Sequence, residues 1–457
     1  MREIFFKAAY IGTFLLFLST QSVFAAATAP AAGEVADIPM GQSADGEVSL
    51  LPEDVGNVQG DENLFGSEGG YFHPYITLDF EYTDNLYNIH EGETTNWLTR
   101  ISPGIWFALP RKKIIPITLN PNNTSPGGLQ SQFKDYEGTD RYQAYALGGL
   151  DFKNYSAESD LNAVNGIAEG MARYNMRGGL SLQLVDRYSH GEDEFEIGSS
   201  SHGQKSAFDS NFLMATVDWD LTEKFRVQLD YFNFALGYVD EINNFMDRID
   251  NGINLYGYFN YSLKTAFFLE YKYVDVAYDQ SVVIDNNSNF FYGGITWNTT
   301  EKLALLAKIG YQTKKYDDVS LGQQDFDGFV YDLQASYRFS EKSLFDFDIY
   351  RMNEETDNSL ATDKTVIGAS AKYTQKFTEK LSATIDAGYE DAEYNSVSNF
   401  FDRDRDDKTY AIEPGVQYLF REWLMFELSY KYETRDSTIK VFDYTSNTVL
   451  LSATLAM

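Results

Sequence analysis

Cysteine is absent from all 457 residues. That excludes disulfides, zinc–thiolate sites, a cysteine nucleophile and a lipoprotein anchor. Basic residues are few: 36 Lys and Arg stand against 68 Asp and Glu, a formal charge of −32. Such a chain has little with which to neutralise phosphates, which argues against a nucleic-acid partner. Long hydrophobic runs are also missing. Beyond residue 25 no uncharged apolar stretch reaches the ~20 residues that a transmembrane helix needs. What the chain has in quantity is Tyr (33) and Phe (34).

The first 25 residues read as a secretory signal. Arg2 and Lys7 precede the apolar run 8–18, and Val23-Phe24-Ala25 supplies a cleavage site. Residues 26–70 are rich in Ala, Pro, Gly and acid, with little periodicity, and read as a flexible periplasmic lead-in. From 71 to 457 no Pro- or Gly-rich break divides the pattern, so one β-domain is expected.

That domain shows period-2 alternation, the signature of a strand with two unlike faces. Leu381, Ala383, Ile385, Ala387 and Tyr389 fall on one face, with Ser382, Thr384, Asp386 and Glu390 on the other. The same phase recurs at Leu213–Trp219, Phe225–Tyr231, Phe345–Ile349 and Leu424–Tyr432. Early strands are expected at 71–82, 97–109, 142–154, 163–175 and 178–188, and the last at 443–457. The last keeps its alternation through Val449, Leu451, Ala453 and Leu455 but ends on Met457, where outer-membrane barrels typically place an aromatic. Pro110, Pro116, Pro121 and Pro126 argue against a central strand over 110–140.

Short turns such as Thr378-Glu379-Lys380 recur about every 40 residues, alternating with long polar loops, among them 240–252 and 353–364. A β-propeller shares that period, but strands of about 10–14 residues fit a tilted membrane crossing better. A soluble sandwich shares the alternation but needs neither a signal peptide nor girdle-like Tyr. The fold class expected is therefore all-β: a transmembrane antiparallel up-and-down barrel of about 18 strands, with 16 as the alternative count. An even count puts both termini on the short-turn, periplasmic side, and such a barrel is wide enough for an aqueous lumen.

Ten charged residues fall on the inward phase: Arg226, Asp230, Glu270, Lys272, Lys308, Asp346, Asp348, Asp386, Glu427 and Lys431. Mixed charge there suits hydrated solutes, with a modest cation preference, or serves only mutual pairing. Tyr231, Tyr271, Tyr311, Tyr389 and Tyr430 fall on the lipid phase, at the outer ends of outgoing strands, and read as interfacial anchors. His73 begins a strand, while His90, His190 and His202 lie in or beside outer loops. Ser189-His190 and Ser201-His202 are adjacent in sequence, which is not the geometry of a triad. The run 402–407 (DRDRDD) offers carboxylates to calcium or pairs with itself in solvent. No catalytic residue, cofactor or resident metal is expected.

Residues 71–109 carry His73-Pro74-Tyr75, then Asp84 and Asn85 within Tyr82–Tyr87, then Pro103-Gly104. This resembles the opening of the family called putative β-barrel porin 2. The resemblance implies an outer-membrane barrel. Because members often accompany exopolysaccharide systems, it also implies an alternative role in polysaccharide export or assembly. Three readings result: a pore for hydrophilic solutes, an exopolysaccharide component, and, third, a barrel-borne envelope enzyme. The implied partners are outer-membrane lipid, the barrel-assembly machinery, and polysaccharide or its export proteins.

Overall fold

The computed structural model describes residues 71–110, 121–129, 141–193, 206–280, 283–300, 302–318, 324–355, 361–396 and 404–456. The expected signal peptide, the whole lead-in 26–70, His202 and Met457 lie outside them. The described residues form β1 (Phe72–Thr83), β2 (Asn96–Leu109), β3 (Tyr142–Tyr155), β4 (Ala163–Asn175), β5 (Leu180–Asp193) and β6 (Ser206–Asp220). Then come β7 (Phe225–Tyr238), β8 (Arg248–Ser262), β9 (Thr265–Tyr278), β10 (Asn286–Thr300), β11 (Leu303–Tyr316) and β12 (Phe326–Ser340). The chain ends through β13 (Ser343–Glu355), β14 (Ala361–Lys376), β15 (Leu381–Ser396), β16 (Asp406–Arg421), β17 (Leu424–Ser437) and β18 (Tyr444–Ala456). Each strand pairs antiparallel with its sequence neighbours, and β1 pairs with β18, so the 18-stranded sheet closes on itself.

Alternation sets the two faces. On β17, Phe426, Leu428, Tyr430 and Tyr432 are exposed, while Met425, Glu427, Ser429, Lys431 and Glu433 are buried. Large apolar side chains stand bare all around the outer wall, including Leu269 (72% exposed), Ile309 and Phe329. A water-soluble surface does not present so continuous an apolar belt; lipid accounts for it. Near the short-turn end the belt is rimmed by rings in contact, such as Phe225 with Phe259 and Phe72 with Phe107. Toward the other end, outward tyrosines donate across to the next strand: Tyr231 to Asn251, Tyr271 to Asn289, Tyr311 to Asp327 and Tyr430 to Asn447. These tyrosines lie near mid-strand rather than at strand ends as expected. The strands continue beyond them as a rim whose outward residues include Asn233, Asp275 and Thr313.

Glycines inside the strands have a packing reason on the inner face. Tyr75 pairs with Gly104, Phe232 with Gly252, Phe268 with Gly294, Tyr292 with Gly310 and Tyr350 with Gly368. A Cβ at Gly104 would sit 2.1 Å from Tyr75 Oη, and one at Gly252 would sit 2.1 Å from Phe232 Cζ. Each ring therefore lies flat across its partner glycine instead of standing into the lumen.

The seam between first and last strands is fastened at its long-loop end. Asp84 accepts from the backbone N–H of Asn447 and from its side-chain amide, both at 2.7 Å. Asn85, 1% exposed, donates to Ile89 O (2.9 Å) and Thr445 O (3.0 Å) and accepts from Ile89 N–H. The Asp-Asn pair is thus a clasp between β1 and β18. Lower in the seam Thr77 meets Thr454 at 3.0 Å. Replacing Asn85 with Ala leaves two part-buried carbonyls and an amide without this partner, at about 1 kcal/mol for each lost bond. Asn85→Ala is expected to lower the temperature at which the folded electrophoretic band shifts to the unfolded one. An unchanged transition would refute the clasp.

Candidate functional site

Connections from even to odd strands are tight turns, such as 176–179 and 377–380, with one exception: the chain between β2 and β3. From that short-turn end it inserts a segment into the lumen. The nine residues Pro121–Leu129 form a compact knob closed on itself. Asn122 N–H donates to Gly128 O at 2.7 Å, Gly128 N–H to Ser125 O at 2.9 Å, and Asn122 Oδ1 accepts from the N–H of Thr124 at 2.8 Å. Gly127 and Gly128 sit at φ +81° and +74°, a conformation that glycine alone adopts freely. Residues 111–120 and 130–140, on either side, lie outside the described residues.

The wall around the knob reads mainly its backbone. Arg248 on β8 donates to Ser125 O at 2.9 Å, and Asp250 accepts Gly127 N–H at 2.7 Å. Lys272 on β9 donates to Leu129 O at 3.1 Å, and the Glu355 N–H on β13 to Thr124 O at 2.7 Å. One bond goes to a side chain: Thr124 Oγ1 to Glu354 at 2.9 Å. Hydrogen bonds to charged groups contribute about 1.5–3 kcal/mol each. The Phe232 ring lies between two glycines, Gly252 on the wall and Gly127 on the knob, where a Cβ would come within 2.3 Å of the ring. Gly128 meets Phe234 in the same way.

Beside the knob the wall itself leans inward. β12 and β13 pair from Ser340↔Ser343 to Tyr331↔Arg351, where the ladder stops although both strands continue. Above that point the Gln312 side chain on β11 bonds both the C=O (2.9 Å) and the N–H (2.8 Å) of Asn353, doing what a neighbouring strand would do. Glu355 thereby reaches Lys314 (2.7 Å), the Tyr278 hydroxyl (2.9 Å) and the Asn286 amide (3.1 Å). Apolar side chains pack into the same region, among them Phe212, Phe234, Val274, Phe290 and Leu129, all buried. The inner face was expected to meet water; here it meets a packed, partly apolar filling, because the knob supplies the second surface that lumen aromatics need.

The inward charges named from sequence divide between two halves of the barrel. Arg226 pairs with Asp218 (2.8 Å) and lies over Tyr258, and Asp230 accepts from Gln228. Glu270 accepts from Lys308 (2.9 Å), Tyr256 and Asn254, and Lys272 holds the knob. These five stand on β7, β9 and β11, on the knob's side. Asp346 accepts from Ser336 (2.6 Å), with half-buried Asp348 two residues on; Asp386 faces Lys372 (3.7 Å). Glu427 accepts from Gln417 and Lys431 pairs with Glu433 (2.9 Å). They stand on β13, β15 and β17, and the charged face continues into β1–β3, where Arg100 lies 3.4 Å from Glu81, 3.7 Å from Asp151 and 3.9 Å from Asp79. Solvent reaches this second face: Arg100 is 27% and Lys372 26% exposed, whereas Lys314 near the knob is 0%.

Arg248, Asp250, Glu354 and Glu355 were missed from sequence because 240–252 and 353–364 read as loops. Both stretches in fact begin or end strands, and their polarity belongs to the knob's seat. The acidic run near 402–407 pairs with itself, as Arg405 bonds Asp407, and Asp404 is exposed, but Arg405 is buried between Tyr394 and Phe442 instead of standing in solvent. Residues 402–403 of that run lie outside the described residues. Ser189 and His190 are consecutive on β5 and point to opposite faces; His190 meets Asp209 at 3.0 Å on the outer one. Pro103 faces outward where the β2–β3 pairing is interrupted, between Ile101↔Phe152 and Gly104↔Gly149.

A closed 18-stranded barrel, apolar outside and charged within, is the architecture of a porin-like outer-membrane protein. The chain belongs to the putative beta-barrel porin 2 family, whose model matches residues 140–457. That span begins after Asp84, Asn85, Pro103, Gly104 and the knob. No curated protein matches the sequence. Among solved structures, OccAB4 of Acinetobacter baumannii is similar over 85% of this chain and 99% of its own, at 12% identity and a TM-score of 0.42. OccK3 (OpdO) of Pseudomonas aeruginosa is similar over 84% and 96%, at 11% identity and a TM-score of 0.40. OccAB2 of A. baumannii is similar over 85% and 99%, at 11% identity and a TM-score of 0.44.

Ser125 is fully buried, and its hydroxyl has no hydrogen-bond partner. Ser125→Cys, the sole thiol in the chain, is expected to react slowly with a water-soluble maleimide. Adding Gly127→Val forces an unfavourable φ, about 1–2 kcal/mol, besides the clash with Phe232. Labelling is then expected to accelerate at least about tenfold, as a ~1.4 kcal/mol shift gives. Equal rates in the two backgrounds would contradict the seat.

Proposed function

We propose that this barrel is a conduit for small hydrophilic solutes across the outer membrane, with its water path along the half formed by β13–β18 and β1–β3. The observation that carries this is the unequal solvation of the lumen. Charges beside the knob are shut in, while Arg100 and Lys372 on the opposite side remain wet. On that wet face carboxylates outnumber cations: Asp79, Glu81, Asp151, Asp386, Glu413 and Glu427 surround Arg100 and Lys372. Such a lining favours cations over anions of equal size. On this reading residues 1–25 are removed on export, 26–70 remain in the periplasm, and the short turns lie on that side. The barrel-assembly machinery inserts the strands into outer-membrane lipid. The lumen groups act by lining the path, and the chemistry is passage rather than catalysis.

In planar bilayers under a KCl gradient, the protein and a variant lacking 121–129 are expected to show a reversal potential of cation-selective sign. Asp386→Asn combined with Glu427→Gln is expected to move that potential toward zero. A heat-modifiable, correctly folded barrel that passes no current in either form would sink the conduit reading.

A further inference from the structure

We propose that the knob Pro121–Leu129 is a removable plug, and that the barrel widens when the knob leaves its seat as one body. This rests on the conduit reading and specifies how that conduit opens.

Three observations support it. First, the knob's internal bonds, Asn122 to Gly128 and Gly128 to Ser125, do not involve the wall, so its shape survives release. Second, the wall does not need it. The ladders of β7 with β8 and of β8 with β9 run through the seat with no contribution from the knob. Third, two charge pairs of the seat are independent of the knob. Arg248 lies 3.4 Å from Asp250, and Lys314 lies 2.7 Å from Glu355. Release leaves both pairs intact. Lys272 gives up its bond to Leu129 O, but that ammonium still lies over the Phe232 and Phe290 rings and is open to entering water.

The seat lies at the long-loop end of the strands, where β8 begins and β13 ends. The chain leaves β2 and rejoins β3 at the short-turn end, so the knob stays tethered when it leaves the seat. The contacts it gives up are wall bonds to three of its carbonyls and one of its N–H groups, the Thr124 hydroxyl bond, and the faces of Phe232 and Phe234. Water replaces the first kind readily. The second kind, apolar contact, favours the seated state and makes it the resting one.

The absence of cysteine makes the test clean. Thr124→Cys and Glu354→Cys place two thiols where the native side chains touch. A short bifunctional methanethiosulfonate joins them, and reductant separates them again. The expected result in bilayers is small resting conductance with brief larger openings in the untreated pair. Those openings vanish on cross-linking, return on reduction, and become the steady level in the barrel lacking 121–129. Openings that persist at full size in the cross-linked protein would overturn the plug while leaving the conduit standing. The same holds if the shortened barrel conducts no more than the full chain. Silence in every form removes both.

Discussion

Inside a bilayer a peptide group has no water to turn to, and each unpaired N–H or C=O costs several kcal/mol. The whole architecture answers that constraint. Eighteen ladders close in a ring, and the seam where the chain's two ends meet receives extra fastening from Asp84 and Asn85. Where the β12–β13 ladder stops, a side chain takes over: the Gln312 amide presents a donor and an acceptor to Asn353 as a strand edge does. That substitution lets the upper part of β13 tilt inward without leaving those groups bare. The tilt in turn brings Glu354 and Glu355 to the knob.

Closure fixes the two faces, and the two halves of the lumen then follow from side-chain chemistry. On β6–β9 the inward positions hold Phe212, Phe232, Phe234 and Val274, which gain only from a partner surface. On β15–β17 and β1 the inward positions are mainly acids, amides, cations and hydroxyls, which tolerate water, and β2 and β3 mix such groups (Arg100, Ser102, Asp151) with Trp106, Tyr145 and Leu147. A single inserted segment therefore settles on one side and leaves the other open to solvent. Rings laid flat over Gly104, Gly252, Gly294, Gly310 and Gly368 keep the wall thin enough for both contents to fit.

The barrel itself was legible because lipid imposes a strict two-residue rhythm, and phases such as Leu213–Trp219 and Leu424–Tyr432 obey it throughout. The count of about 18, with 16 as the alternative, came from that rhythm together with the even number such barrels keep, and 18 strands form the sheet. Three things were not legible. Strand ends at Arg248–Asp250 and Asn353–Glu355 are as polar as loops, because they face a polar knob instead of lipid. The inward Phe and Tyr were hidden by composition, since aromatics on both faces blur the alternation. The knob carries no periodicity at all. Its prolines announced only what it is not, and its place in the lumen depends on residues far away in sequence. The Asp-Asn and Pro-Gly motifs were visible, but their work at a seam and under a ring depends on which strands meet.

The distance along the chain between the knob and its seat bears on how the molecule is made. Gly127 finds Asp250 123 positions later, and Thr124 finds Glu354 230 positions later. No stretch of neighbouring strands can seat the knob by itself. Its lodging is complete only when β8, β9 and β13 stand together in the wall, so filling the interior depends on closing the ring.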